Sequence, residues 1–388
     1  MKKSRILLIS FILLICILLS GCWNRREIES LSFVLASGID QSGDQFQLST
    51  QVVNTEALAK NAPSGIHSYF VFTSKGKTIF DAVRNATQSA PSKLFWSHTK
   101  VLVLSEEVAQ KGALSALGFF IRDAEERRNF HILVTPGRAE TVINADVKTK
   151  SLPAMALANT LESNYKSTSQ TSIVTLNDFL LEIHGTECPI VPTIKIIKTQ
   201  KGEQEYQILG SAVFNKDKFI SYLSPIETRG VQWVKGKVKS GIIVTPCLDA
   251  GKNDKDGKIS FEIYQEKSKI DIKKGNNQIS IEVHIKERGN LAEGACIKSE
   301  INPNTLAKIN KLKETAIKEE IQGALKKAYE LKTDVFGFGE QIHRKYPKDW
   351  KTMKDNWSNK FPSIPVKIIV DSRINGTGLI QVNEGGKK

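Results

Sequence analysis

The hydrophobic pattern opens with an uncharged run of about 14 residues, Ile6 to Leu19, behind three bases, Lys2, Lys3 and Arg5, which is the n-region and h-region plan of an export signal. It is too short for a bilayer-spanning helix, which needs about 20 residues. Beyond it the periodicity changes. Ser32–Asp40 and Gln45–Val53 are expected as two strands around a Ser-Gly-Asp turn, and Thr55–His67, with Pro63-Ser64-Gly65, as a loop. Tyr69–Thr73 is a further short apolar run, and between Gly76 and Ala90 the residues Ile79, Phe80, Val83 and Ala86 fall at helical spacing. The apolar strand Thr99–Leu104 runs into Ser105-Glu106-Glu107, a capping residue followed by acids, which predicts a helix start. Phe130–Thr135 then returns as a strand, so this stretch has the parallel β-α-β pattern.

From about residue 137 to 187 the pattern is helical, with Leu152–Tyr165 and Leu176–Ile183 as the helices, and Pro189–Lys198 alternates again. The polar residues 200–203 are expected as a linker. Past them come a hairpin of Tyr206–Asn215 with Lys218–Leu223, a short helix Pro225–Val234, and strands near Gly241–Pro246, Lys258–Ile272 and Gln278–Glu287. Asn302-Pro303 predicts the start of a long helix, with Leu306, Ile309, Leu312, Ile317, Ile321, Leu325 and Ala328 on one face and the lysines and glutamates largely on the other. Val366–Asp371 is the last strand.

Strands alternating with helices in the first half, and strands packed by one long helix in the second, predict a multidomain α/β and α+β protein with mixed sheets flanked by helices. The expected divisions are a leader at 1–21, an α/β domain at 22–145, a mainly helical region with a closing strand at 146–203, and an α+β domain at 204–380. At 388 residues, with 40% apolar and 25% charged residues, the chain is long enough for more than one core and is neither disordered nor polytopic. The formal charge is +14, three positives of which lie in the leader. A basic balance suits nucleic acid or an anionic membrane surface. Export removes the first option, and no groove-reading motif is present.

Five cysteines occur, at 16, 22, 188, 247 and 296. No CxxC spacing exists, so no zinc site is expected, and Cys188, Cys247 and Cys296 read as small buried apolar residues. Cys22 is different, because Leu19-Ser20-Gly21-Cys22 closes the apolar run with an aliphatic residue, two small residues and a thiol. This is the bacterial lipobox order. The small residues let an extended backbone enter a membrane protease, and the thiol takes diacylglycerol before cleavage makes Cys22 the first residue. Cys22 is therefore the expected lipidation site, S-diacylglycerol and N-acyl. Its acyl chains would hold the protein on a lipid bilayer without spanning it, since each buried methylene adds about 0.8 kcal/mol.

Trp23, Arg25-Arg26-Glu27-Ile28-Glu29 and the strand with Gly38-Ile39-Asp40 follow that cysteine, and Asp334-Val335-Phe336-Gly337-Phe338-Gly339-Glu340, Ile342-His343-Arg344, Pro347, Trp350 and Trp357 lie far downstream. At both ends the chain resembles the Ger(x)C family, the C-subunit lipoproteins of spore nutrient germinant receptors. Asn24 stands where many relatives carry aspartate. The resemblance implies a non-catalytic subunit docking on two integral membrane subunits of the same receptor, A-type and B-type, at the outer face of the inner spore membrane. It implies no cofactor and no nucleic-acid partner.

Motifs for chemistry are sparse. GxSxG, HExxH and Walker A sequences are absent. Gly337-Phe338-Gly339 follows a predicted helix and reads as its ending turn, not as a phosphate-binding helix start. The run Asn253-Asp254-Lys255-Asp256-Gly257 imitates a calcium loop, but Lys252 and Ile263 occupy the terminal ligand positions. A polar hairpin is expected there. The histidines are dispersed, Glu125-Glu126-Arg127-Arg128 reads as a solvated helix end, and Trp96, Trp233, Trp350 and Trp357 are expected in the core. Neither a catalytic nor a metal site is expected. The alternatives to a receptor subunit are a substrate-binding lipoprotein of a membrane transporter, which shares the leader, and an envelope hydrolase.

Overall fold

The computed structural model describes residues 31–58, 66–90, 92–148, 152–247, 257–275, 278–294 and 302–376, with positions 5, 6 and 11. Cys22, Cys296 and the Asn253–Asp256 run lie outside the described residues. Strand β1 (Leu31–Ser42) turns at Gly43, φ +63°, into β2 (Gln45–Val53), and β3 (Tyr69–Gly76) pairs antiparallel with β2. Helix α1 (Ile79–Ala86) starts at Thr78, whose hydroxyl accepts from the Asp81 N–H at 3.1 Å. The short β4 (Lys93–Phe95) and then β5 (Val101–Ser105) both run parallel to β1. Helix α2 (Glu106–Arg122) is capped by Ser105, as its sequence predicts, and leads to β6 (His131–Thr135), parallel to β5.

Helices α3 (Ala139–Ile143), α4 (Pro153–Thr168) and α5 (Leu176–His184) precede β7 (Ile190–Lys198), parallel to β6. Strands β8 (Gln204–Asn215) and β9 (Lys218–Leu223) complete the sheet antiparallel, in the order β3-β2-β1-β5-β6-β7-β8-β9. Residues 200–203, expected as a linker, form the turn between β7 and β8, because Thr199 and Glu203 close it by a backbone hydrogen bond of 2.8 Å. Strand β5 explains its own unbroken apolar sequence. Leu102 and Leu104 pack beneath α1 and α2, while Val101 and Val103 pack on the opposite face with α3 and α4. A parallel strand covered on both sides needs apolar residues at every position.

Helix α6 (Pro225–Lys235) carries the chain to the second sheet, formed by β10 (Ile242–Pro246), β11 (Lys258–Gly275) and β12 (Gln278–Glu293). The long helix α7 (Pro303–Leu331), capped by Asn302, is followed by α8 (Phe338–Lys345), α9 (Pro347–Met353) and α10 (Trp357–Lys360). Strand β13 (Val366–Gly376) then pairs parallel with β12, giving the order β10-β11-β12-β13. Ile309, Ile317 and Ile321 of α7 are buried in one core with Ile281, Val283 and Ile285 of β12. The same core includes Ile190, Val213 and Leu223 of the first sheet, so apolar packing runs from one sheet to the other. Gly230 on α6 permits that junction: a Cβ there would lie 2.3 Å from the Glu320 carbonyl oxygen of α7.

Four local readings are corrected. Gly337 and Gly339 do stand at a helix start, since Gly337, φ +75°, caps α8. Cys247 is disulfide-bonded rather than a free buried thiol; its partner lies outside the described residues. Glu126 is not simply solvated, because its carboxyl is largely withdrawn from water and burial pushes it up to about 8. Lys313, from the polar series of α7, is fully buried. The four tryptophans expected in the core are all buried.

Candidate functional site

The two family-like stretches share one device. In the first, Asp40 at 2% exposure accepts the Ala139 and Glu140 N–H groups of α3, both at 2.8 Å. These donors are the open end of a helix with no partners of its own. Gly38 makes room for that contact, since a Cβ there would meet Ile143 Cγ1 at 2.8 Å. In the second, Asp334 accepts the N–H groups of Phe336 at 3.2 Å, Phe338 at 3.1 Å and Gly339 at 2.7 Å, and the Trp357 indole N–H at 3.1 Å. A Cβ on Gly339 would lie 2.9 Å from the Trp350 ring. The start of α8 is therefore closed by the protein's own carboxylate and is not open to a phosphate. Each motif is an aspartate buried under a helix start, with a glycine allowing the close approach.

Beside this second cluster the two sheets meet. The backbone N–H of Cys188, just before β7, donates to the Asp334 carbonyl at 2.9 Å. Cys188 is a free thiol, pushed up to about 12 by burial and by the nearby Asp334 charge. A thiol held so high is a poor nucleophile at neutral pH. Lys235 at the end of α6 contacts Glu187 closely and lies 3.7 Å from Glu182 of α5. Burial opposes its charge, but the two carboxylates outweigh burial and hold it above the usual lysine range. Glu182 is also raised, up to about 7, chiefly by burial, which favours its neutral form.

A cavity of about 240 Å³ opens here, lined among others by Tyr165, Ser172, Glu182, Gln232 and Lys237. Glu182 Oε2 and Gln232 Oε1 have no hydrogen-bond donor among the described residues. Together these groups tie the first sheet to the second through charge and hydrogen bonds. They contain no nucleophile paired with a base. His343, the histidine within the family-like stretch, is half exposed, 3.8 Å from Glu340, with its ring 6.1 Å from that of Trp350. Among the described residues no three His, Cys, Asp or Glu side chains gather as metal ligands, and no helix is long and apolar enough to cross a membrane. The predicted site Cys22 lies outside the described residues.

The sequence names Asp40 only as part of a family-like stretch and gives no signal for Glu182, Lys235, Glu187 or Lys313. A signal existed for Asp334, an acid inside the apolar series Val335, Phe336 and Phe338, because a charge so placed must find donors.

Two family models match this chain, "Spore germination protein N-terminal domain" over residues 24–196 and "Spore germination B3/ GerAC like, C-terminal" over 209–378. The chain belongs to the Ger(x)C family. Among its Ger(x)C relatives, Spore germination protein KC of Bacillus subtilis (strain 168) is 28% identical over 395 residues, covering 96% of this chain and 96% of that protein. Spore germination protein B3 of the same organism is 27% identical, covering 98% and 100%. The crystal structure of the GerBC protein superposes with a TM-score of 0.57 at 21% identity, over 87% of this chain and 96% of that one. Mixed sheets flanked by helices are thus the Ger(x)C fold, as the sequence predicts.

Proposed function

We propose that this chain is the non-catalytic lipoprotein subunit of a spore nutrient germinant receptor, needed for receptor assembly and for the germination response. The observation carrying this reading is end-to-end similarity to proteins named for spore germination, with both family-like stretches in place. Cys22 carries the acyl groups that hold the chain on the outer face of the inner spore membrane, beside two integral subunits of the same receptor. The disulfide at Cys247 supports an extracytoplasmic setting, because such bonds are rare in reducing cytosol. Confinement to one membrane raises the effective concentration of weakly interacting partners. The two sheets differ in strand number and order, which weighs against the paired similar lobes of a transporter's binding protein.

Two experiments test the reading. Cys22→Ala is expected to abolish lipid labelling and membrane retention, and an unchanged membrane fraction would remove the anchor. Deletion of the chain is expected to impair germination with a subset of nutrients while growth and sporulation stay normal. Germination unaltered with every nutrient would count against a receptor role.

A further inference from the structure

The face of the second sheet opposite α7 is not a balanced charged surface. Three of its acids, Asp271, Glu282 and Asp371, each serve more than one base. Asp271 lies 2.9 Å from Lys269 and 3.8 Å from His284; Glu282 lies 2.5 Å from Lys273 and 3.9 Å from Lys367. Asp371 lies 3.6 Å from Arg288 and 3.4 Å from Arg373. Lys267 of β11 and Lys286 of β12 then stand directly opposite each other in register, both exposed and neither within salt-bridge reach of an acid among the described residues. Like charges facing across a strand pair are destabilising. Asp371 of β13 stands in register with Lys286 on its other side, but its ion pairs are with Arg288 and Arg373, so an external counter-charge would relieve the lysine pair.

At one side of the same face the chain exposes apolar groups. Ile242 and Val244 of β10 are 47% and 52% exposed, and Tyr264, at the β11 bulge, is 69% exposed. Glu262 and Ser260, the partners of Ile242 and Val244 across the strand pair, lie on the same side as the basic rows, so this side also carries the acid Glu262. We infer that this face rests on an anionic lipid surface, with the lysines and arginines among the phosphates and with Tyr264, Ile242 and Val244 entering the headgroup boundary. Cations beside aliphatic and tyrosine side chains suit a membrane interface. A protein partner fits less well, since lysine is depleted at protein interfaces. The inference goes beyond the proposed acyl anchor, because it concerns how the tethered body lies on its membrane.

The test uses the full lipidated chain in vesicles of phosphatidylcholine, alone or mixed with phosphatidylglycerol. Flotation reports the anchor, and lysine acetylation read by mass spectrometry reports the face. Acetylation of Lys267 and Lys286 is expected to fall about fivefold or more in the anionic vesicles, given the attraction of each base to such a surface. High salt should restore it, while Lys318 on α7 stays equally reactive throughout. Lys267→Glu combined with Lys286→Glu should remove the protection of neighbouring Lys269 in anionic vesicles. Equal acetylation in both vesicle types, with the protein floating in both, overturns the inference and leaves the anchor standing. Protection that appears only in native spore membranes overturns it too, in favour of an acidic protein partner. Failure to float with phosphatidylcholine counts against the anchor alone.

Discussion

Asp334 holds four donors with one carboxylate, so its removal leaves several buried N–H groups without acceptors. Asp334→Asn is expected to cost about 2–4 kcal/mol, because an amide offers a single acceptor and turns its own N–H toward donors. Burial raises this carboxyl to about 6 despite its hydrogen bonds, whereas an unfolded aspartate titrates near about 3.9. Between those values the folded chain keeps a proton that the unfolded chain has lost. The group's contribution to stability is therefore greatest at the acid end and disappears as pH rises through about 6, a span of about 3 kcal/mol. In urea titrations the Asn variant should lose more relative to the parent at about pH 5 than at about pH 7.5; a loss independent of pH would refute this linkage. Gly38→Ala should cost about 1–3 kcal/mol by overpacking against Ile143, measurable in the same titrations.

Between elements, the buried pair of Lys313 and Glu287 joins α7 to β12. Its Nζ–Oε1 distance is 2.7 Å, Ser372 of β13 donates to Glu287 at 2.6 Å, and both charged side chains are fully buried. Burial pushes Glu287 up and Lys313 down, toward neutrality, and each partner opposes that shift in the other. Gly289 leaves space for the ammonium, since a Cβ there would lie 2.4 Å from Nζ. Removing one partner strands the other in a low-dielectric core, so Lys313→Met alone should cost about 3–5 kcal/mol. Lys313→Met with Glu287→Leu should recover most of that loss; a double variant no more stable than the single would show that the pair itself supplies net stability. Helical spacing identifies α7 from its apolar residues and sets its lysines and glutamates largely on the other face, but it does not mark Lys313 as the buried exception. Periodicity reports an average face, whereas a cation's burial depends on an acid 26 positions away meeting it.

Across the whole molecule, the first sheet is completed by β8 and β9, which follow the turn at 200–203. A chain ending at Glu203 lacks both strands and exposes Val191 and Ile190, whereas one ending at Leu223 keeps the sheet whole. The longer fragment is expected to unfold cooperatively in urea and the shorter to show no cooperative transition. Cooperative unfolding of the shorter fragment would place the division at the turn. Local sequence determined where most strands and helices lie, because alternation, helical spacing and caps such as Ser105 and Asn302 act over a few residues. It also determined the resemblance, and with it the expectation for Cys22. Tertiary structure alone decided which charges are buried, that Asp40 and Asp334 each close a helix start, and that one basic sheet face is left exposed. Those outcomes depend on contacts between residues distant in sequence, and burial alters the energy of a charge far more than its neighbours along the chain do.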